Sequence, residues 1–227
     1  MKFRLVLLGT FILALSLGSC REKGGKDLNE GEIHFTIDYI GYDGVVPLEM
    51  LPKNAIVSFK KDKVLFEMTG IGKSGVINLS NPEKGIYDTY YSLFTSRYYY
   101  TAVAGEIFPG FEAMEGMVVK KTNSTSVICG FNCKSAEVTF PGKSDKVHEI
   151  WYTDEINVEN PNAFNPFHEI DGVLMSFFFF LGPSELQFEA ETVYKKEIPD
   201  ETFDRRDKFR RVSREDIIDE MNKMKSL

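Results

Sequence analysis

Histidine, cysteine and paired acidic residues are where this chain could do chemistry, and their spacing limits what that chemistry can be. The three histidines, His34, His148 and His168, fall on separate segments with neither H-x-x-x-H nor H-E-x-x-H spacing, so no helix presents two of them to one metal ion. His168-Glu169 with Asp171 has the residue types of a metal or acid/base cluster. With no second histidine placed to help, it reads as a solvated loop. Gly72-Lys73-Ser74 echoes the end of a phosphate-binding loop, but the first glycine of that motif would fall on Glu67. The same stretch lacks the G-x-S-x-G spacing of a nucleophile elbow. Asn123-Ser124-Thr125 matches a glycosylation sequon. Cys129 and Cys133 form a C-x₃-C pair without a nearby histidine, a poor zinc site. A disulfide between them is open: four residues of extended strand span about 13 Å, whereas bonded cysteines need Cα atoms within about 7 Å. Only a tight turn at Gly130-Phe131-Asn132 would permit it. No metal, no cofactor and no enzymatic activity are expected.

The third cysteine has the most specific setting. The chain opens MKFRLVLLGTFILALSLGSC, with Lys2 and Arg4 as a basic region, Leu5 to Leu17 as an apolar run, and small residues before Cys20. The run is shorter than the roughly 20 residues that a bilayer crossing takes. The segment resembles a bacterial lipoprotein signal, with the lipobox as Leu17-Gly18-Ser19-Cys20. That resemblance implies removal of residues 1–19 and lipidation of Cys20, and attached acyl chains anchor a protein at about 0.8 kcal/mol per buried CH₂. The polar, glycine-containing residues that follow make 20–31 a flexible tether. Residues 32–227 then form a single β-rich domain.

Lys and Arg number 27 against 34 Asp and Glu, a net charge of −7; loss of Lys2 and Arg4 with the leader makes it −9. An acidic chain without a basic block argues against nucleic acid as a partner. The only basic cluster, DRRDKFRR at 204–211, is laced with Asp204 and Asp207 and reads as a solvated, salt-bridged segment.

The elements expected around these residues are mostly strands. In GEIHFTIDYI, Ile33, Phe35, Ile37 and Tyr39 share one face, with His34, Thr36 and Asp38 on the other. AIVSFKKDKVLFEMTG reads as two strands about a Lys-Lys-Asp turn, and breaks are expected at Asn81-Pro82 and near Thr95-Ser96. FPGFEAMEGM and NVENPNAFNPFHEIDG read as irregular segments, and a Pro-Gly turn at 141–142 joins two later strands. Ser213-x-x-Asp216 caps a final helix whose stripe is Ile217, Ile218, Met221 and Met224.

Phe177 to Phe180 pose the main structural problem, because a strand sends successive side chains to opposite faces. Pairing this run with the strand after Gly182-Pro183 is expected to set Leu181 opposite Leu186, Phe179 opposite Phe188 and Phe177 opposite Ala190. One face then carries Met175, Phe177, Phe179, Leu181, Leu186 and Phe188, while Phe178 and Phe180 emerge beside Gln187 and Glu189. A single short helix cannot hide that apolar face, so the sheet is expected to curve around it. The fold class is mainly β (α+β): one curved antiparallel sheet or open half-barrel of about nine to eleven strands, with a C-terminal helix and short helical turns.

The phrases Gly130-Phe131-x-Cys133-x-x-Ala136, Trp151-Tyr152-Thr153, Ile170-Asp171-Gly172 and Ile198-Pro199 with Phe203 resemble an uncharacterised bacterial lipoprotein family. The resemblance covers most of residues 32–218; Cys129 beside Cys133, and Ile198 before Pro199, depart from its pattern. It implies a Lol-carrier-like fold, a curved antiparallel sheet around helices with an apolar cavity. The candidate cavity residues are Ile33, Phe35, Ile37, Phe177, Phe179, Leu181 and Phe188. The expected protein is a lipoprotein of the Gram-negative outer membrane, on its periplasmic face or at the cell surface, that binds an acyl chain or other apolar molecule. The alternative is a non-catalytic structural or assembly partner of another envelope protein, with a filled core.

Overall fold

The computed structural model describes residues 28–42, 46–181 and 184–226. The leader, Cys20 and most of the tether lie outside these residues. The sheet starts at Glu30, and the buried Leu28 before it bridges Ile156, ahead of the expected domain start at residue 32.

The strands are β1 (Glu30–Ile40), β2 (Asn54–Lys60), β3 (Lys63–Thr69), β4 (Gly75–Asn81), β5 (Ile86–Leu93) and β6 (Ser96–Thr101), then β7 (Val118–Ile128), β8 (Phe131–Phe140), β9 (Ser144–Thr153), β10 (Val173–Leu181), β11 (Ser184–Lys195) and β12 (Arg210–Arg211). Among the described residues one α-helix, α1 (Arg214–Ser226), follows the last strand. They form a single 12-stranded sheet in the order β12-β6-β5-β4-β3-β2-β1-β11-β10-β9-β8-β7. Every neighbouring pair is antiparallel except β12 with β6, and the sheet is not closed into a barrel. The sheet has more strands than expected, and the two-residue β12 lies in a segment without any alternation.

Local chemistry explains the hairpins. Lys61 takes the left-handed conformation (φ 58°) between β2 and β3, and Cys129-Gly130 take it together (φ 51° and 86°) between β7 and β8. Two consecutive left-handed residues match the twist of a two-residue hairpin turn. The helix start is a reciprocal cap: Ser213 Oγ accepts from Asp216 N–H at 3.1 Å, and Asp216 Oδ2 accepts from Ser213 N–H at 3.3 Å. Among the described residues no helix is long and apolar enough to cross a membrane.

Ring distances show the sheet bending around one face. In a flat sheet β3 and β10, four steps apart, would lie about 19 Å from each other. The rings of Phe66 on β3 and Phe179 on β10 nevertheless have centroids 6.5 Å apart. The other arm bends as well, since the Cys129 thiol in the β7–β8 turn donates to the Ala190 carbonyl of β11 at 3.2 Å.

The face opposite this concave one is covered too. Tyr90 and Tyr91 are sequential on β5 and both fully buried, which requires material on both sides of the strand. On the outer side Leu65, Leu79 and Tyr90 pack against Ile198, Phe203 and Phe209. The chain then pairs as β12 with the edge strand β6 and turns over it. On the inner side α1 lays Ile217 and Met221 on Tyr91. DRRDKFRR is therefore not simply a solvated segment. Arg205 donates to the fully buried Asp88 through Nε at 2.8 Å and a terminal nitrogen at 3.2 Å, and Arg206 pairs with Glu67 at 2.7 Å.

Candidate functional site: an aromatic cleft

The concave face collects the residues that the alternation of β1, β10 and β11 assigned to it. Ile33, Phe35, Ile37, Phe177, Phe179 and Phe188 are all buried in one core cluster. Phe177 stacks on Phe188 at 4.8 Å with rings 3° from parallel, and Phe35 meets Phe177 edge-on at 5.4 Å. The hairpin register differs from expectation by two residues. Leu181 faces Ser184, Phe179 faces Leu186 and Phe177 faces Phe188. A two-residue shift preserves the face of every side chain, so the set survives the correction. The side chain of Leu181 lies outside the described residues.

Two adjacent chambers open between the arms of the sheet. The first, about 90 Å³, has Ile33, Phe35, Phe66, Phe111, Phe177 and Phe179 in its wall; the second, about 80 Å³, has Phe66, Tyr91, Phe111, Phe179, Phe188 and Met221. They share Phe66, Asn78, Phe111 and Phe179. Ile37, expected in the cavity, lines neither chamber and serves the core.

Two irregular segments supply the part of the wall that strand alternation could not reveal. The segment after β6 brings Phe111 to 4.5 Å from Phe179 and Phe108 to 5.2 Å from Phe164. The loop between β9 and β10 places Phe167 at 5.9 Å from Phe179. That loop is held by Asn162, whose amide donates to the carbonyls of Ile170 at 2.7 Å and Gly172 at 2.9 Å. These loops, with α1, resolve the surplus of apolar surface that one helix could not hide. Their aromatic residues stand alone in Pro- and Asn-rich stretches, and no local periodicity marks them as core.

On the reverse side of the phenylalanine run, side chains of neighbouring strands pack against the rings. Phe178 is only 2% exposed. The imidazole of His148 stacks on it at 4.3 Å, and Phe140 packs on Phe180 at 5.2 Å. His148 Nδ1 lies 3.2 Å from Glu185, which also accepts from Lys146 at 2.5 Å and Gln187 at 2.9 Å. Burial holds the His148 pKa below its ordinary 6.5, against the pull of the Glu185 charge, so the ring is neutral at pH 7. Burial alone would raise Glu185; the hydrogen bonds from Lys146 and Gln187 outweigh it and hold the carboxyl below its usual value.

The remaining polar candidates stay apart. His168 and Glu169 are exposed on the β9–β10 loop, and Asp171 beside them pairs with Lys121 at 3.2 Å. His34 contacts Glu32 at 3.2 Å. Among the described residues no group of three or more His, Cys, Asp or Glu is placed to hold a metal. No disulfide joins Cys129 and Cys133. The turn falls one residue earlier than the bond would need, at Cys129-Gly130, and leaves Cys133 inside β8, where burial pushes its thiol up to about 11.

No protein-family model and no curated protein sequence matches this chain. Among solved structures it is similar to PNGF-II in two crystal forms, with TM-scores of 0.52 and 0.53 at 15% and 16% identity. The match covers 86% of this chain but spans only about a third, 33% and 34%, of PNGF-II. At that identity the likeness establishes the fold and nothing finer: a mainly β chain built on one open, mostly antiparallel sheet.

Proposed function

We propose that this chain is a lipoprotein of the Gram-negative cell envelope, anchored through Cys20, whose half-barrel holds a slender apolar molecule in the cleft between its arms. The observation that carries the reading is the pair of chambers sharing Phe66, Phe111 and Phe179. A pocket lined by aromatic rings with few polar groups is the general form of a site for an apolar ligand. At roughly 10–15 Å³ per water-sized sphere, chambers of about 90 and 80 Å³ each suit a group of roughly six to eight heavy atoms. A short acyl or alkyl segment, or one ring, has that size. The chemistry is binding rather than catalysis, and the bilayer is the second partner.

Native mass spectrometry of the purified protein, with titration by the neutral dye N-phenyl-1-naphthylamine, tests this. Co-purified lipid, or one saturable dye site that lipid displaces, is the expected result. The small size of the chambers favours a second reading, an assembly partner with an essentially filled interior. Absence of both lipid and saturable dye binding would leave that reading in place.

A further inference from the structure

The chamber beneath α1 has a feature that a purely hydrocarbon ligand does not use. Tyr91 lines this chamber, is fully buried, and its hydroxyl has no hydrogen-bond partner among the described residues. Its neighbour Tyr90, on the opposite face, donates to Asp88 at 2.8 Å and accepts from Arg206 N–H at 2.9 Å. Buried hydroxyls are normally satisfied in this way, and an orphan is costly. Burial, with a further contribution from the Glu220 charge, pushes the Tyr91 pKa up to about 12, so the group is a neutral O–H donor.

Asn78 stands beside it. The pairs Val76–Tyr91 and Asn78–Thr89 are successive on one face of β4 and β5, which makes Asn78 and Tyr91 diagonal neighbours. Asn78 lines both chambers, and its Oδ1 accepts from Thr89 at 2.9 Å. Its amide nitrogen has no acceptor among the described residues. Among the described residues no lysine or arginine lines the chamber, and the only charged one is Glu112, which accepts from Gly110 N–H at 3.0 Å and pairs with Arg214 at 3.2 Å. Among the described lining residues an anionic head would meet one carboxylate and no cation. A neutral oxygen would meet two donors.

We infer that the chamber under α1 takes the neutral oxygen-bearing end of an apolar molecule, an alcohol, ester or amide, whose oxygen accepts a hydrogen bond from Tyr91 with Asn78 beside it. The hydrocarbon part lies along Phe66, Phe111 and Phe179, the rings common to both chambers. This rests on the cleft being a binding site, and deepens it by naming the head group.

Calorimetric titration of the purified protein and its Tyr91→Phe variant at pH 8 with 1-decanol, decanoate and butylbenzene tests it. Decanol should bind at least about 10-fold more tightly than decanoate, and Tyr91→Phe should weaken decanol about 5- to 10-fold, because a polar site discriminates through its unpaired groups. Butylbenzene, which has no oxygen, should bind both proteins equally. The unliganded variant should melt no lower than the parent, because it loses only an unpaired hydroxyl. Butylbenzene binding accompanied by equal affinities for decanol and decanoate, or by decanol binding indifferent to Tyr91→Phe, overturns the head-group inference and leaves the cleft reading standing. Failure of all three to bind overturns both.

Discussion

Phe177, Phe178 and Phe179 show how much a residue's neighbours decide. Alternation alone sends Phe178 away from the other two, toward Gln187 across the hairpin. It is nonetheless buried, because the flat ring of His148 stacks on it and Phe140 closes the side. His148 is the titratable member of that stack, and its folded pKa lies below the unfolded one. The unfolded chain therefore takes up the proton first as pH falls, so this group's contribution to stability is present above about 6.5 and declines below it. Glu185 loses its own contribution only at lower pH, below the ordinary carboxylate value of 4.5. Melting temperature should fall between about pH 7 and 5.5, and His148→Phe, which keeps the ring stack, should flatten that slope. Thermal melts of the two proteins across this range decide the matter; parallel curves would mean that His148 does not govern the slope.

The C-terminal segment is the element whose role the composition concealed. Between β11 and α1 it crosses the outer face, contributes Ile198 and Phe203 to a core, and neutralises Asp88. That carboxylate also accepts from Tyr90 and Thr101, each at 2.8 Å. Removing the guanidinium leaves a buried charge without its counter-ion. Arg205→Met should cost about 2 to 3 kcal/mol in urea unfolding, less than for a fully buried pair because Arg205 is 45% exposed. Adding Asp88→Asn should recover part of the loss, since the remaining group is neutral and its amide oxygen still accepts from one of the two hydroxyls that the carboxylate oxygens each hold. A loss for Arg205→Met within experimental scatter would mean that the pair is an ordinary surface bridge. The element also pins β12 to β6 and delivers the Ser213–Asp216 cap from which α1 runs over Tyr91.

At the scale of the molecule, the proposed lipid anchor and the cleft are separate along the sequence. The signal-like opening ends at Cys20, eight residues before the buried Leu28, where the described structure begins. Cys20→Ser should abolish fatty-acid labelling and membrane fractionation while leaving the melting of the folded domain unchanged. A variant that still labels and sediments with membranes would refute the lipoprotein reading. The bend of the sheet, which brings Phe66 within 6.5 Å of Phe179, is the property on which the cleft depends.

What the sequence by itself determined was the local order. Period-two alternation assigned Ile33, Phe35, Phe177, Phe179 and Phe188 to one face, and that face is the core face. The Ser213-x-x-Asp216 cap and most turn positions were equally legible, because turns and caps are decided by a few adjacent residues. The tertiary structure alone decided which strands became neighbours and what lay over each face. It moved the β10–β11 register by two residues, set His148 on Phe178, drew Phe111 into the cleft from an irregular segment, and buried Asp88 beneath Arg205. It also left the Tyr91 hydroxyl without a partner among the described residues. The physical reason is range: a strand's two faces follow from backbone geometry within a few residues, whereas burial and hydrogen-bond satisfaction depend on segments that are distant in the chain until the sheet bends and its loops close over it.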